Sequence, residues 1–342
     1  MEYIATADSI LTANGPVSGL ALIIKGGLID DLGSVSGFHR GIKTLDFPGH
    51  MICPCFCDHH LHLHGRGPGE YKMITDTLIS NGITKAWEGG DREQRGLEAM
   101  GRLSVRTAGC AIYKKGAYGK FIGKGVATMR EAEDAVDLMI EKGADYIKVV
   151  NSGVFLPDTG DISAGGFSLQ ELKHIIGYVK SKGLEAACHS NGAKAVQEAV
   201  EAGAAYIIHG LGISGETLSL MAEKGTAFIP TVSAFACLKK ISKTPKGIFN
   251  IEKAVGLHLA ALKEASLRGV RMLAGSDAGP SFIPYGTSLH EELSLFKRAG
   301  LSVEQVLSCA VSGWLEKGAG ADFLVLDGLS VKKVFIGGIP LS

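Results

Sequence analysis

Six residues in this 342-residue chain have side chains and spacing suited to holding a divalent cation. His60 and His62 stand two apart, with Leu61 between them. Side chains alternate along an extended strand, so both imidazoles leave the same face and can chelate one ion. His189, His209 and Asp277 each fall at or just after the end of a short apolar run that reads as a strand. Imidazole and carboxylate donors suit Zn2+, with Mn2+, Ni2+ or Fe2+ also compatible. Lys148 lies within Tyr146-Ile147-Lys148-Val149-Val150, where burial would disfavour its charged form. A neutral amine there can take up CO2 as a carbamate, whose two oxygens could bridge two cations. The same lysine could equally pair with a carboxylate at the strand end, and spacing alone favours that simpler role.

The elements that must position these residues alternate. Residues 1–53 read as short strands, with Ala21-Leu22-Ile23-Ile24 leading into a turn at Gly26-Gly27. Strand, loop and helix then repeat, with strands near 52–58, 83–88, 104–112, 145–150, 184–189, 205–209, 226–231 and 270–275. Ser168-Leu169-Gln170-Glu171 and Ser288-Leu289-His290-Glu291 have the form of capping boxes that open helices. Helices near 130–142, from 193, from 214 and near 250–268 are punctuated by Gly143, Gly203 and Gly225. Eight such units in about 250 residues predict an α/β fold, a (β/α)8 TIM-type barrel with parallel strands. Residues 312–342 return to short strands. The expected organisation is a small β domain built from 1–53 plus 312–342, with the barrel spanning 54–311. Barrel active sites collect at the C-terminal ends of the strands, where these six residues fall.

Composition narrows the function. Lys plus Arg number 35 and Asp plus Glu number 35, so the net charge is zero and no basic excess points to nucleic acid. With 46% hydrophobic residues the chain can bury a core, which excludes a disordered class. No apolar run reaches the 18 or so residues that span a membrane. Glu2 and Asp8 sit where a signal peptide would carry positive charge, and seven irregularly spaced cysteines suggest no disulfide framework. The expectation is a cytoplasmic protein acting on a small molecule, with no nucleic-acid or membrane partner and with homo-oligomerisation left open. If 54–62 is a regular strand, Cys53, Cys55 and Cys57 face away from His60 and His62 and serve as packing residues. Asp58 either orients a ligand from behind or ties down the strand end. His59 and His64 read as polar loop residues.

The run Pro54-Cys55-Phe56-Cys57-Asp58-His59-His60-Leu61-His62-Leu63-His64-Gly65 resembles the Pro-Gly-Phe-Ile-Asp-x-His-x-His-x-x-Gly motif of the amidohydrolase superfamily. Gly82-Ile83-Thr84, Gly143 to Lys148, Ala187-Cys188-His189, Ile208-His209-Gly210, Pro230-Thr231 and Gly275 to Gly279 match further. The stretch from Phe167 to Ser233 is similar to the imidazolonepropionase-like and Xaa-Pro dipeptidase-like branch. Cys55 and Cys57 depart from the motif, and Val311 to Ala321 compresses a longer region. The resemblance implies a (β/α)8 barrel with a small β-sandwich domain from 1–53 plus 312–342, and a metal-dependent, binuclear amide-bond hydrolase with two Zn2+ ions. His60, His62 and Asp277 would hold the more buried ion, His189 and His209 the second, and a Lys148 carbamate would bridge them. Asp277 would also be the general base.

Two loops on the expected catalytic face are basic and lack acids: Tyr113 to Lys124 and Lys239 to Lys246. They predict a positive mouth that attracts a carboxylate-bearing substrate. Arg66, Tyr113, Tyr118 and His290 are the candidate substrate contacts. The alternatives are a mononuclear cyclic-amidine hydrolase or deaminase, which would not need the bridging carbamate, and a non-catalytic scaffold, which would tend to lose ligands.

Overall fold

A computed structural model describes residues 2–34, 41–63, 68–92 and 101–341. The chain begins with β1 (Glu2–Thr12), β2 (Gly15–Val17), β3 (Leu20–Lys25), β4 (Leu28–Ser34) and β5 (Thr44–Pro54). Gly26 and Gly27 both take positive φ, which lets β3 turn tightly into β4. The parallel series follows with β6 (Phe56–Leu61), α1 (Pro68–Ser80), β7 (Ile83–Glu88), β8 (Ser104–Thr107), β9 (Ala111–Lys114) and β10 (Gly123–Val126). Next come α2 (Met129–Glu141), β11 (Ile147–Val150), the small hairpin β12 (Phe155–Leu156) and β13 (Asp161–Ile162), then α3 (Leu169–Ser181) and β14 (Ala186–Ser190). After them run α4 (Ala193–Ala202), β15 (Tyr206–His209), α5 (Gly215–Lys224), β16 (Ala227–Ile229) and α6 (Val232–Cys237). The last helices are α7 (Pro245–Leu267), α8 (Thr287–Arg298) and α9 (Val303–Ala310). The chain closes with β17 (Phe323–Asp327), β18 (Ser330–Ile336) and β19 (Ile339–Pro340).

Both chain ends build one eight-stranded sheet, in the order β19-β18-β17-β5-β1-β3-β4 with β2 on β1. Its core stacks Phe323 on Phe335 at 4.4 Å, over Tyr3, Leu22 and Ile24. The parallel strands form two ladders, β6-β7-β8 and β10-β9-β11-β14-β15-β16. Isolated bonds run beyond these ladders. Ala108 N donates to Glu88 O, Asp145 N to Thr107 O, Leu273 N to Phe228 O and His59 N to Ala274 O. Helices cover the strands with apolar faces, such as Leu172, Ile175, Ile176 and Val179 of α3. No described helix is long and apolar enough to cross a membrane.

Several boundaries differ from the expectation. The first strand of the parallel series starts at Phe56, because Met51 to Pro54 pair with β17 and belong to the terminal sheet. The 104–112 strand is two, divided where Gly109 takes φ 66°. Residues 270–275 form no regular strand and touch β16 through one bridge, Phe228 to Met272. The capping box at Ser168 forms as read, but the one at Ser288 does not. Gly286 is the N-cap of α8, and the Ser288 hydroxyl is buried in the first turn without a partner among the described residues. All seven cysteines are free and buried, and the Cys55 thiol lies against the Phe335 carbonyl of the terminal sheet.

His59 lies within β6, not in a polar loop. It is buried against Trp87 at 5.1 Å, and its Nδ1 is 3.0 Å from the Ala274 carbonyl. Burial lowers its pKa from 6.5 to about 4. The unfolded chain therefore takes up a proton near pH 6.5 that the folded chain refuses, so stability is lost as pH falls from 6.5 towards 4. At about 1.4 kcal/mol per pKa unit the loss is at most roughly 3 kcal/mol. Thermal melts across this window should decline less steeply for His59→Asn than for the parent. An equal decline would show that His59 does not drive the acid sensitivity.

Candidate metal centre

The end of β6 and the turn after residue 275 bring three donors together. His60 Nε2 lies 3.3 Å from Asp277 Oδ1, and His62 Nε2 lies 3.4 Å from the same oxygen. One donor atom from each residue falls within 4.8 Å of the other two. Lys148 Nζ, from β11, is 3.4 Å from His60 Nε2. The His209 ring, at the end of β15, is 5.7 Å from that of His60 and 4.5 Å from that of His189 on β14. All six predicted residues thus line one cavity of about 170 Å³.

The backbone around them is strained. Asp277, His209 and Thr231 are the only described non-glycine residues with positive φ, at 56°, 72° and 50°. Such conformations cost of order 1–3 kcal/mol each and gather at functional sites. Two glycines make room. A Cβ on Gly89 would come within 2.3 Å of His60 Cε1, and one on Gly275 within 2.9 Å of His60 Cβ.

The outer nitrogen of three imidazoles faces an oxygen. His62 Nδ1 is 3.0 Å from Gly90 O, His189 Nε2 is 3.0 Å from Gly153 O, and His209 Nδ1 is 2.7 Å from Thr231 Oγ1. A carbonyl only accepts, so the nitrogen facing it carries the proton and the other keeps its lone pair for the cavity. His60 Nδ1 is buried with no hydrogen-bond partner among the described residues, and Nε2 is the nitrogen that meets Asp277 and Lys148.

Burial governs the charges. It lowers the pKa of His60 to about 3 and of His189 to about 4, and holds His209 well below the ordinary range. It also pulls Lys148 down to about 7, against the attraction of Asp277. Burial opposes charge on Asp277 and His62 too, but their mutual contact outweighs it. The carboxyl is held well below its usual value and His62 is raised. Three neutral imidazoles, the His62 ring whose extra proton a cation would displace, one carboxylate and an amine about half neutral at pH 7 form a donor set that fits a divalent cation.

The other candidates are scattered. Tyr118 lines the cavity, with its ring 5.3 Å from that of His189. Tyr113 lines a different cleft with Arg92, Lys120 and Lys124. His290 lies outside the cavity lining, with Nε2 3.0 Å from the Asn81 carbonyl and its ring against Phe56. Arg66 and His64 lie outside the described residues. Lys114 pairs with Glu171 and Lys239 with Glu252, and no lysine of either basic loop lines the cavity. Asp58 accepts from the Ser276 backbone N–H at 2.9 Å and from that residue's hydroxyl, so it fixes the turn that presents Asp277.

Sequence reasoning missed four supporting residues. Glu88 is buried, accepts from Gly90 N–H and the Thr107 hydroxyl, and stands 3.9 Å from His62 Nδ1. Burial raises its pKa to about 7. Glu292 of α8 is buried, with its pKa raised to about 8, and accepts from the Val232 and Ser233 N–H groups beside Thr231. His258 of α7 places Nε2 2.9 Å from the His209 carbonyl. Thr231 had been noticed only as part of a motif. A carboxylate at a strand end, as in Trp87-Glu88-Gly89-Gly90, was the one local signal available.

The Amidohydrolase family profile matches residues 51–339. An ochratoxinase from Aspergillus niger is 25% identical over 217 residues, covering 58% of this chain and 44% of that protein. The chain thus spans less than half the length of this relative. The uncharacterized protein Rv2915c of Mycobacterium tuberculosis is 27% identical over 278 residues, covering 77% and 73%. Among solved structures, a Xaa-Pro dipeptidase with bound methionine superposes with a TM-score of 0.81 at 19% identity, covering 100% of both chains. The A. niger ochratoxinase structure gives 0.78 at 20%, covering 99% and 96%. At these identities the structural likeness speaks for the fold.

The glycine cradle offers a direct check. Gly89→Ala should push the His60 ring out of line and weaken zinc binding roughly 10- to 100-fold, as measured by calorimetric titration of metal-free protein. Unchanged affinity would show that the ring does not depend on this space.

Proposed function

Because the chain belongs to the amidohydrolase family, we propose that it is a metal-dependent hydrolase that cleaves a carbon–nitrogen bond in a small substrate. The convergence of His60, His62 and Asp277 within 4.8 Å, beside Lys148, His189 and His209, carries this reading. We read the two parallel ladders and their bridging bonds as a (β/α)8 barrel over 54–311. The terminal sheet from 1–53 and 312–342 is read as a small β-sandwich domain.

In this reading His60, His62 and Asp277 hold one Zn2+ and His189 and His209 a second. Lys148 would contribute as a carbamate, which its neutral amine would form by adding CO2 and losing a proton. The bound ions supply an acidified water and Lewis-acid polarisation of the scissile carbonyl. Asp277 is placed to take a proton from the water and pass it to the leaving nitrogen, because its carboxylate stays ionised at neutral pH. Once His62 gives up the proton that Asp277 favours, Gly90 O holds the remaining one on Nδ1 and leaves the Nε2 lone pair on the cavity side. The Thr231 hydroxyl, 2.7 Å from His209 Nδ1, holds the orientation of that ring. The half-buried Tyr118 phenol, its pKa raised by burial, stays protonated and can donate to the substrate. A carboxylate on the substrate would be steered by the lysines of the two basic loops.

A one-ion reading has its own support, since only His60, His62 and Asp277 group within 4.8 Å among the described residues. It corresponds to a cyclic-amidine hydrolase or deaminase. Elemental analysis should find two zinc ions per chain, and intact mass at native pH should show one added CO2. Lys148→Ala should lower kcat/KM on amide substrates by roughly a hundredfold or more. One zinc per chain with an active Lys148→Ala variant would favour the one-ion reading. Full metal content without hydrolysis of any amide would favour a scaffold.

A further inference from the structure

The lining of the catalytic cavity is polar only in part. Beyond the six ionisable residues, most of it is apolar, led by Phe155, Phe235 and Phe282 with Ile122, Leu238 and Ile283. The Phe155 and Phe235 rings lie 6.0 Å apart at 48°. Phe235 in turn sits 6.2 Å from the His209 ring and 4.4 Å from that of His258. The aromatic wall therefore starts beside one of the candidate metal ligands, close to where a scissile bond would lie. Among the described residues Lys148 is the only lysine or arginine in the lining, and it belongs to the metal centre. Away from the metal centre, a charged substrate group set against this wall would lose its hydration without gaining a counter-ion among the described residues. An apolar group would gain by leaving water. The cavity volume is about 170 Å³. That is ring-sized, since an apolar cavity of about 150 Å³ takes up one benzene.

The rim is different. Lys240 is exposed, and its ammonium donates to the Phe282 carbonyl at 3.2 Å. A cation thus stands at the edge of the aromatic wall, outside the cavity lining. A substrate carrying both a ring and a carboxylate could place the ring inside and the charge at this edge.

We propose that the cavity is a specificity pocket for one flat apolar group of ring size attached to the scissile amide, selected by Phe155 and Phe235. A carboxylate on the substrate stays outside, at the Lys240 edge. The proposal rests on the hydrolase reading for the word amide, but the pocket's preference can be measured without turnover. Three carboxylate probes share a headgroup and differ in the group that must enter: hydrocinnamate, butyrate and succinate.

Calorimetric titration of the metal-loaded protein should give hydrocinnamate a Kd about tenfold or more tighter than butyrate, with succinate the weakest. Phe155→Ala should collapse the hydrocinnamate-to-butyrate ratio towards one. Phe235→Leu, which keeps apolar bulk in case the alanine variant fails to fold, should at least halve it, roughly. Equal affinities, a preference for succinate, or no binding of hydrocinnamate would overturn the proposal. Selective hydrocinnamate binding by a protein that hydrolyses no amide would leave the pocket standing and remove the hydrolase reading. Hydrolysis of amides with no aromatic preference would do the reverse.

Discussion

Burial sets the terms at this end of the parallel strands. His60, His62, Lys148, His189 and His209 are all buried, and the Asp277 side chain is only 20% exposed. An unpaired charge here costs free energy, so His60, His189, His209 and much of Lys148 stay neutral. The Asp277 carboxylate keeps its charge because two imidazoles face it. The constraint that suppresses protonation also preserves lone pairs. Three neutral imidazoles, with the Asp277 carboxylate holding charge on His62 until a cation replaces that proton, make a competent cation site.

Orientation needs separate support, because an imidazole offers two nitrogens and only one can serve the cavity. The fold supplies an oxygen behind His62, His189 and His209. Two of the three residues that supply these oxygens are themselves anchored. Gly90 is fixed by the Glu88 carboxylate, and Thr231 sits where Glu292 gathers the next two backbone N–H groups. Thr231 takes φ 50° against ordinary preference, so its conformation needs such an anchor. His258 fixes the His209 carbonyl from the other side, where His209 itself takes φ 72°. Buried acids outside the cation cluster thus have a structural reason to exist.

The legible part of this arrangement was the part governed by short-range pattern. His60-x-His62 declares itself through strand parity, and Lys148, His189 and His209 through their place in apolar runs. Gly143, Gly203 and Gly225 mark helix ends, all three with positive φ. What escaped depends on contacts distant in sequence. Nothing near His59 shows that Ala274 and Trp87 will enclose it. Nothing near Ser288 shows that Gly286 will take the cap position. The 51–54 segment is apolar enough for either sheet, and pairing with β17, some 270 residues later, assigned it to the terminal one. Glu292 looks like any helix-surface acid until its turn is seen packed on α6.

Much of the centre is held by bonds that lie outside the regular ladders. Asp277 N–H donates to the His60 carbonyl and His62 N–H to the Ala278 carbonyl, each at 2.7 Å. Asp91 N–H reaches Gly109, and His59 N–H reaches Ala274. An uninterrupted ladder would keep each strand extended to its end and carry Asp277 past His60 rather than over it. Residues 270–275 instead touch β16 once and then turn, with Gly275 packed on His60 and Asp277 in the left-handed region. The irregular 270–275 segment, where the sequence pattern leads one to expect another strand, is therefore the feature that lets the carboxylate reach both imidazoles. Regularity is given up at the point where the chemistry requires a bend.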